Sequence, residues 1–180
     1  MMAITTVDTN AKNVSRETLL DMYAALLLKW NAKINLIGPA TEAHICKRHL
    51  EDSSQLVELI PHEAKTLVDL GSGAGLPGMV IGIHRQDLSV TLVERDQRKA
   101  AFLNEVKARL ELSNVEVKAV DIGSLEETYD VVTARALAPL SQLMHMAQPL
   151  MGQGATALFP KGVGADKELE EARENWDFTA

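Results

Sequence analysis

The chain has 180 residues and is short of several things, each of which excludes something. Its one cysteine, Cys46, cannot form an internal disulfide, so a reducing compartment, the cytoplasm, is expected. A single cysteine and five scattered histidines also argue against a structural zinc site. The longest apolar runs, Met22–Leu28 and Met79–Ile83, fall far short of the ~20 residues that cross a bilayer, so no membrane association is expected. Residues 1–10 have neither the positive stretch nor the apolar core of a signal peptide, and export is not expected. Aromatic residues make up 4%, so base stacking would rest on very few rings or on an arginine plane. There is no internal repeat, low-complexity stretch or long linker. What is present, 46% hydrophobic and 24% charged residues, is the composition of one globular domain with a sizeable core.

Positive charge is also short. The net charge of −7 by itself speaks against non-specific nucleic-acid binding. The acids are unevenly spread, however. Asp166–Asp177 holds six of them against Lys167 and Arg173, a local −4 that leaves −3 for everything before it. Basic residues upstream come in short groups: Lys47-Arg48 beside His49, Arg95 with Arg98-Lys99, and Lys107 with Arg109. Solvated helix faces account for any one group; a local phosphate-binding surface is the alternative.

The first third reads as helical. Ser15 suits a cap, and Leu19, Leu20, Tyr23, Leu26, Leu27 and Trp30 then recur at helical spacing. Gly38-Pro39 separates this helix from a second one expected over 41–59, with Ile45, Leu50, Leu56 and Leu59 inward, and Pro61 closes the region. Beyond it, short β-branched runs alternate with helical segments. Strands are expected at 66–70, 89–94, 115–120, 129–133 and 155–159, and helices at 77–84, 97–112 and 139–150. Pro77 and Pro139 suit first helical positions and Asp96 suits a cap. This alternation predicts an α/β fold: a doubly wound parallel sheet with helices on both faces and an N-terminal helical extension. Residues 1–61 are expected to pack on a core at 62–180 as a single globular unit. In such sheets ligands sit beyond the carboxyl ends of the strands.

The loudest motif lies there. Asp69-Leu70-Gly71-Ser72-Gly73-Ala74-Gly75-Leu76-Pro77-Gly78 follows a strand and opens a helix. Glycines let backbone turn sharply and approach a ligand without a Cβ in the way. Gly73, Gly75 and Gly78 fit the spacing of dinucleotide enzymes, whereas Gly71, Gly73 and Gly75 fit a tighter G-x-G-x-G loop. Glu94, ending the next strand, suits ribose hydroxyls in either case. Three features favour a sulfonium nucleoside over a dinucleotide. Asp69 puts a carboxylate at the loop, the tighter pattern is in register with the strand end, and no second domain is expected to hold a hydride acceptor. Asp121, Ile122 and Gly123 follow the third strand, Arg135 the fourth and Lys161 the fifth, while Lys99 lies one turn into a helix that starts on the same rim. In the helical third, Asn35 suits a turn. His49 is either a satisfied helix histidine or a functional one, with Asp52 as a nearby carboxylate. His44 and His49, five apart, are poorly spaced as two metal ligands on one helical face.

The marks Trp30-Asn31 with Asn35-Leu36, His49–Ser53, Asp69–Gly78, Lys99 with Phe102-Leu103, Tyr129-Asp130 leading to Arg135-Ala136, and Pro160-Lys161-Gly162 occur in order. With them the chain, from about Trp30 onward, resembles the bacterial glucose-inhibited division protein B family. Its members are methyltransferases that make 7-methylguanosine in 16S ribosomal RNA of the small subunit. The resemblance implies a Rossmann-like methyltransferase core, S-adenosylmethionine as methyl donor and 16S rRNA or the small ribosomal subunit as partner. It implies cofactor contacts at Gly71, Leu76, Ile122, Gly123 and Arg135, beside Asp69, Gly73, Gly75, Glu94 and Asp121 from the reading above. It places Arg135 and Lys161 in the catalytic site as positioning groups, and Asn35, His49 and Lys99 among polar residues serving the active site or RNA.

Two departures stand out. The family often has Arg-Ala/Val-Glu after the third strand, where this chain reads Asp121-Ile122-Gly123, which leaves backbone contacts as the expectation there. The family usually continues with a final antiparallel hairpin, which this chain is expected to lack. No metal and no dimer are required. The rival readings are a non-catalytic RNA-binding or ribosome-assembly factor on the same fold and a nicotinamide-nucleotide dehydrogenase.

Overall fold

A computed structural model describes residues 14–42, 45–162 and 164–178. The lead-in at 1–13, His44, and the side chains of Lys47 and Arg48 lie outside the described residues.

Helix α1 (Arg16–Asn31) opens as expected: Ser15 Oγ accepts from the Thr18 amide at 3.2 Å, and Leu19, Tyr23, Ala24 and Leu27 face inward. The second helix expected over 41–59 is not one helix. It is α2 (Pro39–Glu42), a π-helical turn (Cys46–Glu51), α3 (Asp52–Gln55) and a 3₁₀ turn (Leu56–Leu59). Each change of winding re-aims the inward face. Ile45 and Leu50 are buried as expected, but Leu59 is 60% exposed and Ile60 takes the inward place.

The five strands are β1 (Thr66–Leu70), β2 (Ser89–Val93), β3 (Val115–Lys118), β4 (Tyr129–Thr133) and β5 (Met151–Leu158). All neighbours pair in parallel, in the order β3-β2-β1-β4-β5. This is the predicted doubly wound sheet. β1 and β4 occupy the predicted spans; β5 begins four residues before the expected 155, because pairing of Tyr129 with Met151 draws Met151–Gly154 into the sheet.

Between strands run α4 (Gly78–His84), α5 (Gln97–Arg109) and α6 (Leu140–Ala147), and α7 (Ala165–Arg173) follows β5. Asp96 caps α5 by accepting from the Arg98 and Lys99 amides. Pro77 and Pro139 stand at the cap, one residue before the first helical position expected for them.

The sheet is covered on both faces. Leu67, Val90, Leu92, Val115 and Val131 pack with Tyr23 of α1, Met79 of α4 and Phe102 of α5. Val68, Leu70, Val93 and Val132 pack with Leu143 and Ala147 of α6 on the other face. Burial on both sides is why these strands read as apolar runs rather than alternating ones. The register sets Asp69 beside Leu92 on one neighbour and Thr133 on the other, so the strand ends form a common rim. Among the described residues no helix is long and apolar enough to cross a membrane.

Candidate active site

The glycine loop is held from both sides. The Ser72 amide donates to the Val93 carbonyl at 2.9 Å, and the Gly75 amide to the Ser72 carbonyl at 2.6 Å. The Gly73 amide donates to Glu94 Oε2 at 2.9 Å, and the other carboxylate oxygen of Glu94 accepts from the Asp96 amide at 2.8 Å. Glu94 therefore fastens the loop to the start of α5. Each oxygen has a second lone-pair site, so the carboxylate can still accept from a ligand hydroxyl. Gly73 has a φ of +52°, and a Cβ there would meet nothing closer than the Gly71 carbonyl oxygen at 3.8 Å. Its missing side chain leaves a gap that opens into a cleft.

That cleft has a volume of about 850 Å³. Gly71, Gly73 and Glu94 form one wall; Asp121, Ile122 and Gly123 form the opposite one; Arg95 and Lys99 stand at the α5 side. Val93, Leu125, Leu137 and Leu150 give it an apolar lining. Asp121 Oδ1 accepts from the Gly123 amide at 3.0 Å, which turns this wall sharply. Its other oxygen lies 3.9 Å from Arg95, both groups being exposed. A cleft with a backbone-lined mouth, a carboxylate at the end of β2 and apolar walls fits a nucleoside with a flat base.

Three expected ligand contacts lie beneath the loop rather than on this cleft. Asp69 is fully buried: Thr133 Oγ1 donates to its Oδ1 at 2.9 Å and the Gly78 amide approaches its Oδ2 at 3.4 Å. Burial pushes its carboxyl up to about 6, against the pull of hydrogen bonds from Thr133, Ser72 and Gly78 and of the Arg135 charge. Gly75 faces α1, where an added Cβ would lie 3.0 Å from the Tyr23 hydroxyl, and Leu76 is buried in the core. Strand register explains the carboxylate's direction, since Asp69 shares a face with its neighbour Thr133.

Tyr23 was legible in the sequence only as an apolar helix position. In the fold its hydroxyl donates to the Ala74 carbonyl and so supports the loop from below. Burial, with Asp69 adding to it, pushes this phenol far above its ordinary value, and it stays a neutral donor.

A second, smaller cleft of about 460 Å³ lies on the other side of the 136–138 loop. Ala136, Leu137 and Ala138 line both clefts, and Arg135, Pro160, Lys161 and Glu168 complete the second. Ala136 carries a φ of +53°, unusual for a residue with a Cβ. Lys161 Nζ donates to the Ala138 carbonyl at 2.8 Å and pairs with Glu168 Oε2 at 2.8 Å, while that same oxygen accepts from the Leu140 amide at 2.7 Å. Lys161 thus ties the loop between the clefts to α7. Glu168, hidden in the acidic run, gives no sequence signal for this role.

Arg135 Nη2 donates to His49 Nδ1 at 2.6 Å. His49 is only 8% exposed, and its Nδ1 faces this arginine. Asn35 is exposed and lines neither cleft. Its turn is shaped by Asn31, whose Oδ1 accepts from the Leu36 and Ile37 amides at 2.8 and 2.9 Å. The expected rim residues therefore fall into three groups. Gly71, Gly73, Glu94, Lys99 and Asp121–Gly123 meet at the large cleft, Arg135 and Lys161 at the small one, and Asp69, Gly75, Leu76 and His49 underneath.

Comparison with known proteins identifies the family and the fold. Residues 16–180 match the profile of GidB, described as rRNA small subunit methyltransferase G. The protein named ribosomal RNA small subunit methyltransferase G from Methylorubrum extorquens is 47% identical over 176 residues, covering 93% of this chain and 82% of its own. Its namesake from Rhodopseudomonas palustris is 49% identical over 175 residues, covering 92% and 74%. Among solved structures, a ribosomal protein L11 methylase from Lactobacillus delbrueckii subsp. bulgaricus superposes with a TM-score of 0.57 at 15% identity, covering 69% of this chain and 66% of that one. Coclaurine N-methyltransferase bound to N-methylheliamine and SAH gives 0.56 at 17% identity, covering 81% and 51%. At such identities the structures speak for the fold alone.

Proposed function

Because the chain belongs to the GidB family of rRNA small subunit methyltransferases, we infer that it transfers a methyl group from S-adenosylmethionine to nitrogen 7 of a guanosine in 16S rRNA. The observation that carries this reading is the pair of clefts sharing the 136–138 loop. One has the shape and lining for a nucleoside donor, and the other opens beside it with Arg135 on its rim.

S-adenosylmethionine supplies, when bound, an electrophilic methyl on a positively charged sulfur. Glu94 is placed to accept from ribose hydroxyls, the backbone at Gly71 and Gly73 admits close approach, and the Ile122-Gly123 edge offers backbone and an apolar wall to adenine. Guanine nitrogen 7 carries no proton, so the protein need not supply a general base. Its task is to hold the base in line and still. Lys161 serves by fixing the loop between the clefts, and Arg135 by meeting a phosphate of the RNA. The protein is expected to act in the cytoplasm as a monomer.

The test is transfer of labelled methyl to unmodified small subunits and to their free rRNA, with nucleoside analysis of the product. Label in 7-methylguanosine is the expected outcome; donor binding without label on either substrate would overturn the activity. The donor's place has its own check. Gly73→Arg puts a long side chain into the cleft from a left-handed position and is expected to abolish calorimetric binding of S-adenosylhomocysteine. An unchanged affinity would move the donor elsewhere.

A further inference from the structure

The contact between His49 and Arg135 joins two segments 86 residues apart in sequence. A guanidinium has only donors, so the acceptor is the imidazole: Nδ1 presents its lone pair to Nη2 at 2.6 Å. The helical region is wound to make this contact. In the π-helical turn Cys46–Glu51 each turn is wider than in an α-helix, so His49 and Leu50, adjacent in sequence, both face inward below Ile45. Ser53, also buried, donates from Oγ to the His49 carbonyl at 2.6 Å and braces the next turn against it. The run His49–Ser53 is thus a support built around one imidazole, which is too deeply buried to meet RNA itself.

Arg135 needs such support. It follows β4 on the loop that separates the clefts, and its long side chain would otherwise sample many rotamers. One N–H anchored on His49 leaves the remaining donors of the planar fork at the rim of the small cleft. That geometry suits two oxygens of one phosphate.

We propose that His49 is a positioning residue that holds the Arg135 guanidinium in register for a backbone phosphate of the RNA substrate. This rests on the methyl-transfer reading for the identity of the substrate but not for the existence of the coupling.

The test is a double-mutant cycle on His49 and Arg135. It is read as KM and kcat for methyl transfer to small subunits and, independently of turnover, as the affinity for 16S rRNA without donor. His49→Asn keeps an acceptor oxygen near the place of Nδ1, whereas His49→Gln moves its polar atoms outward. Their similar polarity makes each a folding control for the other, with thermal unfolding recorded for both. His49→Gln is expected to raise KM and weaken rRNA binding by about tenfold, the loss of one charge-assisted contact, while S-adenosylhomocysteine affinity stays within about twofold. His49→Asn is expected to recover most of that loss. In an Arg135→Ala background, His49→Gln is expected to have no further effect. Effects that multiply, or an Asn variant as impaired as the Gln one, would overturn the proposal. A parent that binds rRNA and shows the coupling without transferring methyl would remove the activity and leave the pair standing; one that methylates without coupling would do the reverse. A parent that neither methylates nor binds rRNA would remove both.

Discussion

At the scale of the residue, Asp69 has the clearest physical consequence. It is fully buried at the end of β1, and burial raises its carboxyl from 3.8 to about 6. The folded state therefore holds the Asp69 proton more tightly than the unfolded chain does. Its contribution to stability is complete below about pH 4 and is lost as pH rises through about 6. A shift of this size amounts to roughly 3 kcal/mol. Asp69→Asn removes the titration while keeping an acceptor for Thr133. The difference in unfolding free energy, wild type minus variant, is therefore expected to fall by that order between pH 4 and pH 7, measured by urea unfolding without donor. A difference independent of pH would show that Asp69 is not the buried titrating group described here. The same residue shows where sequence reading of the site runs out. Glycine spacing and strand ends point to Gly71, Gly73, Glu94 and Asp121–Gly123, and these residues line one cleft. The direction in which each loop residue points depends on strand register, and nothing local in Asp69, Gly75 or Leu76 distinguishes the cleft side from the core side. Arg135 and Lys161 stood out as cations at strand ends, but their partners His49 and Glu168 come from segments brought near only by the finished fold.

At the scale of the element, the strands were legible and the irregular helices were not. β1 and β4 are short runs with β-branched residues, buried on both faces, and they occupy the expected spans. The 41–59 segment also has helical spacing, but spacing cannot tell an α-turn from the π and 3₁₀ turns that tertiary packing imposes here. Connections likewise depend on side chains without a sequence signature. Asn114 Nδ2 lies within hydrogen-bond reach of the carbonyls of Gly82, Arg85 and Leu88 at 3.0, 3.2 and 3.1 Å. One amide thus closes the end of α4 onto the start of β2. Asn114→Ala leaves carbonyls in a partly buried turn without this donor and is expected to cost about 1–3 kcal/mol. Donor affinity should hardly change, because the turn lies at the opposite end of the sheet from the rim. Urea midpoints with calorimetry on the same variant check both halves; a loss of donor binding equal to the loss of stability would mean that the two ends of the sheet are not independent.

At the scale of the whole molecule, the helical region and the sheet share one apolar interior. Tyr23 stacks on Phe102 of α5 with ring centroids 6.5 Å apart, and Trp30 tilts against the same ring at 5.8 Å. The Trp30 indole nitrogen donates to Glu105 of α5 at 3.1 Å, and the Tyr23 hydroxyl reaches the glycine loop. A helix fastened both to the covering layer of the sheet and to the loop over the ligand cleft cannot leave without exposing that layer. Removing it would open the apolar face of α5 to water and withdraw the donor that satisfies the Ala74 carbonyl, and both penalties fall on the core. Unfolding should therefore be a single cooperative step. The chain has two tryptophans, and Trp176 packs near the far side against His145 at 4.8 Å, so Trp176→Phe leaves Trp30 as the sole indole reporter of the helical region. In that variant the urea transition followed by indole fluorescence is expected to superpose on the one followed by far-ultraviolet circular dichroism, which reports all helices and strands together. An earlier fluorescence transition would mean that α1 detaches first. The support it gives the glycine loop would then have to form on donor binding rather than before it, and the gap between the two curves should close when S-adenosylhomocysteine is added.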